Sequence, residues 1–230
     1  MRVALGATAA LFVVSGYFDF LKSPDDAWLG PSQRIFYVHM GAAFVVALAF
    51  TVACAASTLY LATRQLRFDR WACASAEVGM VFTSMLLTTG ILWGKVVWGV
   101  WWTWDPRLTA TLILWVLFWG YLLLRDGIRF REQRARVSAV LALVCYLDVP
   151  LDYMTIRWWK SIHPIVITAQ GINMAPTMIG AMCLTSAAMV ALYLSWVTVR
   201  VRLMGTEDIL DDVKNGLRDG VRCQFWGDGS

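Results

Sequence analysis

Six long apolar runs constrain this chain more than anything else in it. A bilayer-spanning helix needs roughly 17–25 mostly apolar residues, and the runs are Val3–Leu21, Ile35–Thr63, Trp71–Trp93, Leu108–Leu124, Val137–Tyr153 and Met178–Val199. Apolar residues make up 59% of the 230 and charged residues only 16%. Soluble domains carry about 25% charged residues, so a soluble enzyme is not expected. The expected fold is an all-α integral membrane protein of six transmembrane helices. The first run resembles a signal peptide in length, but no small-residue cleavage site follows it and Asp19 sits near its end.

Orientation follows from the connecting loops, because short cytoplasmic loops collect Lys and Arg. Fourteen basic residues fall with Arg2, the 64–70 and 125–136 loops and the tail, against six on the other side. Both termini are therefore predicted to be cytoplasmic. Residues 1–204 form the membrane domain, and 205–230 read as a charged, Gly-containing cytoplasmic tail, partly disordered by composition. The five cysteines form no C-x-x-C pair and suit small hydrophobic positions. A net charge of +4 spread over short loops gives nucleic-acid binding no support.

This orientation gathers three features on the outer side. Two are the only histidines: His39 at the outward start of the second span, and His163 in the Trp158-Trp159-Lys160-Ser161-Ile162-His163-Pro164 loop. The third is the loop at about 93–107, in which five Trp fall between Trp93 and Trp104. A His at a span end is commonly a hydrogen-bonded interfacial residue. Imidazole also ligates iron, and a porphyrin with four nitrogens of its own needs only two axial partners. A Trp cluster can be an aromatic belt or, with Gly94 and Gly99 interleaved, a flat platform for a planar macrocycle. Arg34 and Arg107 can anchor to headgroups or bind carboxylates such as propionates. Asp105 caps the helix that follows Pro106 or braces Arg107. Glu77, Asp148 and Asp152 lie within spans; an interior hydrogen bond suits Glu77, and the other two have no evident partner.

The run Trp98-Gly99-Val100-Trp101-Trp102-Thr103-Trp104-Asp105-Pro106-Arg107-Leu108-Thr109 resembles the tryptophan-rich "WWD" signature of haem-handling membrane proteins in cytochrome c biogenesis. The Arg-Leu-Thr ending, the six spans and one His on each side of the loop resemble the CcmC branch. The resemblance covers about residue 32 to the end of the sixth span. It implies haem b, transiently bound at the periplasmic face of the bacterial inner membrane. It further implies axial ligation by His39 and His163, a platform of Trp98, Gly99, Trp101, Trp102, Trp104 and Asp105, and propionate contacts from Arg34 and Arg107. The implied partners are the haem chaperone CcmE, the ATP-driven CcmA–CcmB complex, the small protein CcmD and the bilayer. No G-x-x-x-x-G-K-[ST] loop and no nucleophile with a paired base occur in the sequence, so the chain is not expected to be an enzyme. The alternatives are a b-type haem electron-transfer subunit, with both His inside helices, and a transporter permease for haem or another small molecule.

Overall fold

A computed structural model describes residues 2–27, 29–163, 167–168, 171–172 and 174–227. The helices are α1 (Arg2–Tyr17), α2 (Gln33–Thr63), α3 (Leu66–Trp98), α4 (Pro106–Gly127), α5 (Arg131–Tyr146), α6 (Asp148–Trp158) and α7 (Pro176–Gly227), with a π-helical turn at Phe18–Lys22 after α1. Two short antiparallel strands, β1 (Ile167–Thr168) and β2 (Gly171–Ile172), precede α7. Among the described residues, six helical segments are long and apolar enough to cross a membrane, one at each of the six apolar runs.

Span five is built from two helices, and proline gives the reason. Pro150 has no N–H to bond the carbonyl of Tyr146, and its ring crowds that carbonyl. The chain therefore breaks step at Leu147 between α5 and α6. At the α2–α3 turn, Arg64 takes a left-handed conformation with φ 58°, and its N–H closes on the Tyr60 carbonyl. The two longest adjacent helices thus run antiparallel. Small residues let them approach, as in membrane bundles generally. A Cβ on Gly79 would sit only 3.0 Å from that of Ala49. Ser75 donates to the Ala49 carbonyl or bonds Tyr193 (2.7 and 2.6 Å), tying α2, α3 and α7 together. At the centre, Phe50 and Phe118 stack at 3.7 Å.

Two boundaries differ from the expected ones. Helix α3 runs on to Trp98, so the irregular part of the Trp segment is confined to 99–105. Val96, Val97 and Trp98 continue the apolar helix, and Gly99, at φ +75°, is what stops it. Helix α7 continues past residue 204 to Gly227. At a rise of about 1.5 Å per residue, the 52 residues of α7 reach far beyond a hydrocarbon core of about 30 Å. Arg70 and Arg131 bind Asp208 at 3.3 and 3.2 Å, holding the first turns of the projecting part against α3 and α5.

The bundle consequently has two chemically distinct ends. The ends of α3 and α6 and the starts of α2, α4 and α7 form a Trp-rich end, which carries both histidines. The opposite end, with the starts of α3 and α5, is rich in arginine.

Candidate functional site

At the Trp-rich end, α2 presents His39 from its second turn toward α3. Its Nδ1 lies 3.1 Å from the Thr89 hydroxyl oxygen. That hydroxyl donates its own hydrogen to the Met85 carbonyl at 2.8 Å, as threonines in helices commonly do. The oxygen is left to accept, so the proton of the imidazole sits on Nδ1 and its lone pair on Nε2. The ring needs the space above Gly90, where a Cβ would come within 3.1 Å of its Cε1.

One turn on, Gly94 serves Trp98 in the same way, since a Cβ there would be 3.2 Å from the indole. Trp98 packs edge-on against Trp93 at 5.5 Å and against the His163 ring at 5.1 Å. Gly90 and Gly94 thus form a groove on α3 that seats one histidine and the indole contacting the other.

Asp105 organises the remainder. Its carboxylate accepts from the Arg107 N–H (3.0 Å), the Ser161 hydroxyl (3.0 Å), the Ile162 N–H (2.8 Å) and His163 Nδ1 (3.2 Å). The first bond is the expected helix cap, with Pro106 in the first turn of α4. The other three stitch the 159–163 loop to the start of α4. Burial pushes the Asp105 carboxyl up, but its hydrogen bonds and His163 outweigh burial and hold it below the usual carboxylate range. Burial also lowers the pKa of His163, more than the Asp105 charge raises it. His163 is therefore neutral near pH 7, with Nδ1–H on Asp105 and the lone pair on Nε2.

The rest of the Trp segment faces outward. Trp101 and Trp104 are 58% and 76% exposed, and Lys95 lies over the Trp101 ring at 5.5 Å. Trp102 is half-buried, edge-on to Trp104 at 5.7 Å. The Trp102 Nε1–H and Thr103 hydroxyl are buried and meet no partner among the described residues. Gly99 supplies the turn, and its carbonyl accepts from Lys95 Nζ at 2.8 Å.

Of the residues singled out from sequence, Trp98, Asp105, Arg107 and His163 are in direct contact. His39 joins them along the α3 groove, and Gly99, Trp101, Trp102 and Trp104 form the adjoining turn. Arg34 is placed differently: it pairs with Asp25 at 3.1 Å in the loop before α2. Arg107 reaches Asp152, bonding its carbonyl at 3.4 Å and facing its carboxylate at 3.8 Å. Thr111 donates to the same carboxylate at 3.2 Å, which supplies the partner Asp152 lacked in the sequence. Asp148 is buried with one oxygen unpartnered among the described residues. Pro164 lies outside the described residues.

Sequence reasoning missed Thr89, Gly90 and Ser161. Gly90 had a legible signal: with Gly94 it makes a small-x-x-x-small pair, the spacing that opens a groove on a membrane helix. Thr89 and Ser161 carried none, because their partners lie 50 and 56 residues away.

The profile of the CcmC family, described as Heme exporter protein C, matches residues 1–212. The chain belongs to the CcmC family. A protein named Heme exporter protein C from Paracoccus denitrificans is 31% identical over 199 residues, 85% of this chain and 83% of the relative. The Bradyrhizobium diazoefficiens protein of that name is 33% identical over 159 residues, 69% of this chain and 60% of the relative. A putative cytochrome c biosynthesis ccmC-like mitochondrial protein from Marchantia polymorpha is 32% identical over 162 residues, covering 70% and 68%. Some of these matches thus span less than two thirds of the relative. The match to the CcmC profile takes in the whole Trp-rich end and runs past residue 204 into the projecting part of α7.

Proposed function

We propose that this chain holds haem b at the Trp-rich end of its bundle and passes it to the haem chaperone CcmE during maturation of c-type cytochromes. The observation that carries this reading is the state of the two imidazoles. Each is anchored through Nδ1 to a fixed acceptor, Thr89 or Asp105, which leaves Nε2 to bind iron. Ligating histidines are oriented in this manner, by an acceptor on the other ring nitrogen. Two such ligands complete a porphyrin iron that already has four nitrogens. Haem is the cargo here, and the protein supplies positions for it.

The surrounding side chains fit that cargo. Trp98, Trp101, Trp102, Trp104 and the Gly99 turn offer flat apolar surface with one face open to water. Arg107 can meet a propionate, because its contacts to Asp152 are long enough to be shared. Arg34 would have to release Asp25 to do the same. Asp105 holds the Trp segment and His163 together, so one carboxylate sets both the platform and a ligand. Exposed Trp104 and Trp101 suit capture of the haem edge by a docking chaperone, and the chain itself performs no chemical step.

The basic loops support an orientation with the arginine end in the cytoplasm and the haem site at the periplasmic face of the inner membrane. Both termini are then cytoplasmic, beside the CcmA–CcmB complex that supplies ATP hydrolysis and the small protein CcmD. The test is the visible spectrum of the purified protein beside His39→Ala and His163→Ala. Both variants should lose most of the Soret absorbance or shift to a five-coordinate spectrum. Wild-type haem content and coordination in both would reject the ligand assignment.

A further inference from the structure

The arginine end holds a feature that haem handling leaves unused. A cavity of about 380 Å³ opens where α3 and α5 begin, α4 ends and α7 leaves the bundle. That is room for several waters, each about 30 Å³. Its wall is heavily charged, yet most of the charge is already matched. Asp69 grips Arg125 through both oxygens at 2.6 and 2.5 Å. Glu77 likewise binds Arg200 at 2.6 and 3.1 Å. Asp208 is shared by Arg70 and Arg131, and Asp126 is exposed.

Arg134 is the exception. It lines the cavity half-buried, and its side chain bonds no acid among the described residues. Its Nε–H is shut from water and has no acceptor among the described residues, and the same holds for Arg70 on the same wall. A buried donor on a charged group with no acceptor is a costly state. Every acid lining the cavity is bound elsewhere or facing water, so a counter-charge for the Arg134 guanidinium on this wall has to come from outside the chain. A planar carboxylate fills one guanidinium fork. A phosphate group presents two or more unesterified oxygens in a tetrahedron and can serve two guanidinium groups on different helices, here Arg70 on α3 and Arg134 on α5.

We propose that this cavity is an anion site that takes a phosphate-type group, with Arg134 as its principal contact and Arg70 as the second. Two sources share that chemistry: a phospholipid headgroup at the membrane surface and free phosphate. Exposed Leu123, Leu124 and Leu203 bring apolar surface up to the same level, as an attached acyl chain requires.

The test uses the full chain purified in detergent. Native mass spectrometry measures retention of phosphatidylglycerol against zwitterionic phosphatidylethanolamine, and a parallel titration follows the shift in thermal unfolding with inorganic phosphate. The wild type should retain phosphatidylglycerol selectively or be protected by phosphate. Arg134→Gln should weaken that binding about tenfold, the order of one charge-assisted contact, while Arg134→Lys keeps part of it. A lipid-only response assigns the site to a headgroup, and a phosphate-only response to the free anion. Arg70→Gln provides an independent check if Arg134→Gln fails to accumulate. Wild-type binding that is no better than to phosphatidylethanolamine or chloride, or that is unchanged in both Gln variants, overturns the proposal.

Discussion

The two ends of the bundle treat polar groups in opposite ways. At the arginine end, Asp69–Arg125 and Glu77–Arg200 are paired through two contacts each. Among the arginines lining the cavity there, Arg134 and the Nε of Arg70 break that pattern among the described residues. At the Trp-rich end, buried Nε1 atoms of Trp93 and Trp102 lack partners among the described residues, while Trp101, Trp104, Trp158 and Trp159 are all more than half exposed. Pairing of the first kind holds helices in register. Exposed indoles and unpartnered donors add nothing to stability by themselves, and contiguous apolar exposure of that sort marks a surface built to meet a ligand or partner. Under the proposed function, the molecule keeps what holds it folded and what it does at opposite ends of the bundle.

That division can be broken from either side. The largest effect is expected from Arg125→Ala, which strands the Asp69 carboxylate in a site where it is 5% exposed. Removing one partner of a buried pair costs about 3–5 kcal/mol, so the variant should unfold far earlier on heating in detergent. Whatever fraction folds should still show the wild-type haem spectrum. At the other end, Asp105→Asn removes the charge that holds His163 and the 159–163 loop. Changes to groups that orient a ligating histidine typically cost about 10–100-fold in affinity, or about 1.4–2.7 kcal/mol. A haem titration should register that loss, and unchanged affinity would detach Asp105 from the site. Thr89→Val keeps the shape but deletes the acceptor of His39 Nδ1–H, for about 0.5–1.5 kcal/mol. The expected readout is a severalfold drop in haem affinity with an altered Soret position. Trp104→Ala should be nearly silent in stability, within about 0.5 kcal/mol for an exposed side chain, yet should slow haem transfer to the chaperone. A large drop in melting temperature there would mean the indole is structural after all.

The spans were legible because membrane burial is a one-dimensional constraint. Every backbone polar group in hydrocarbon must be satisfied within its own helix, so an apolar run of sufficient length declares itself without knowledge of its neighbours. The errors lay where that constraint lapses. Nothing in the run 94–98 sets the helix end until Gly99 adopts positive φ, and the continuation of α7 beyond residue 204 is held in part by Arg70 and Arg131 from distant helices. Within the site, the residue types were legible and their pairings were not. Asp105 read as a cap, which it is, but its bonds to Ser161, Ile162 and His163 cross more than fifty residues of chain.

Composition and periodicity alone determined six spans, two polar ends and the gathering of both histidines with the Trp segment, since hydrophobic burial and loop charge act on each span separately. Tertiary structure alone decided that Thr89 and Asp105 hold the two imidazoles, that Gly90 and Gly94 make room for His39 and Trp98, and that Arg34 turns to Asp25 while Arg107 turns to Asp152. Those outcomes depend on directional bonds of about 3 Å between side chains far apart in sequence. Their geometry exists only once the helices have packed.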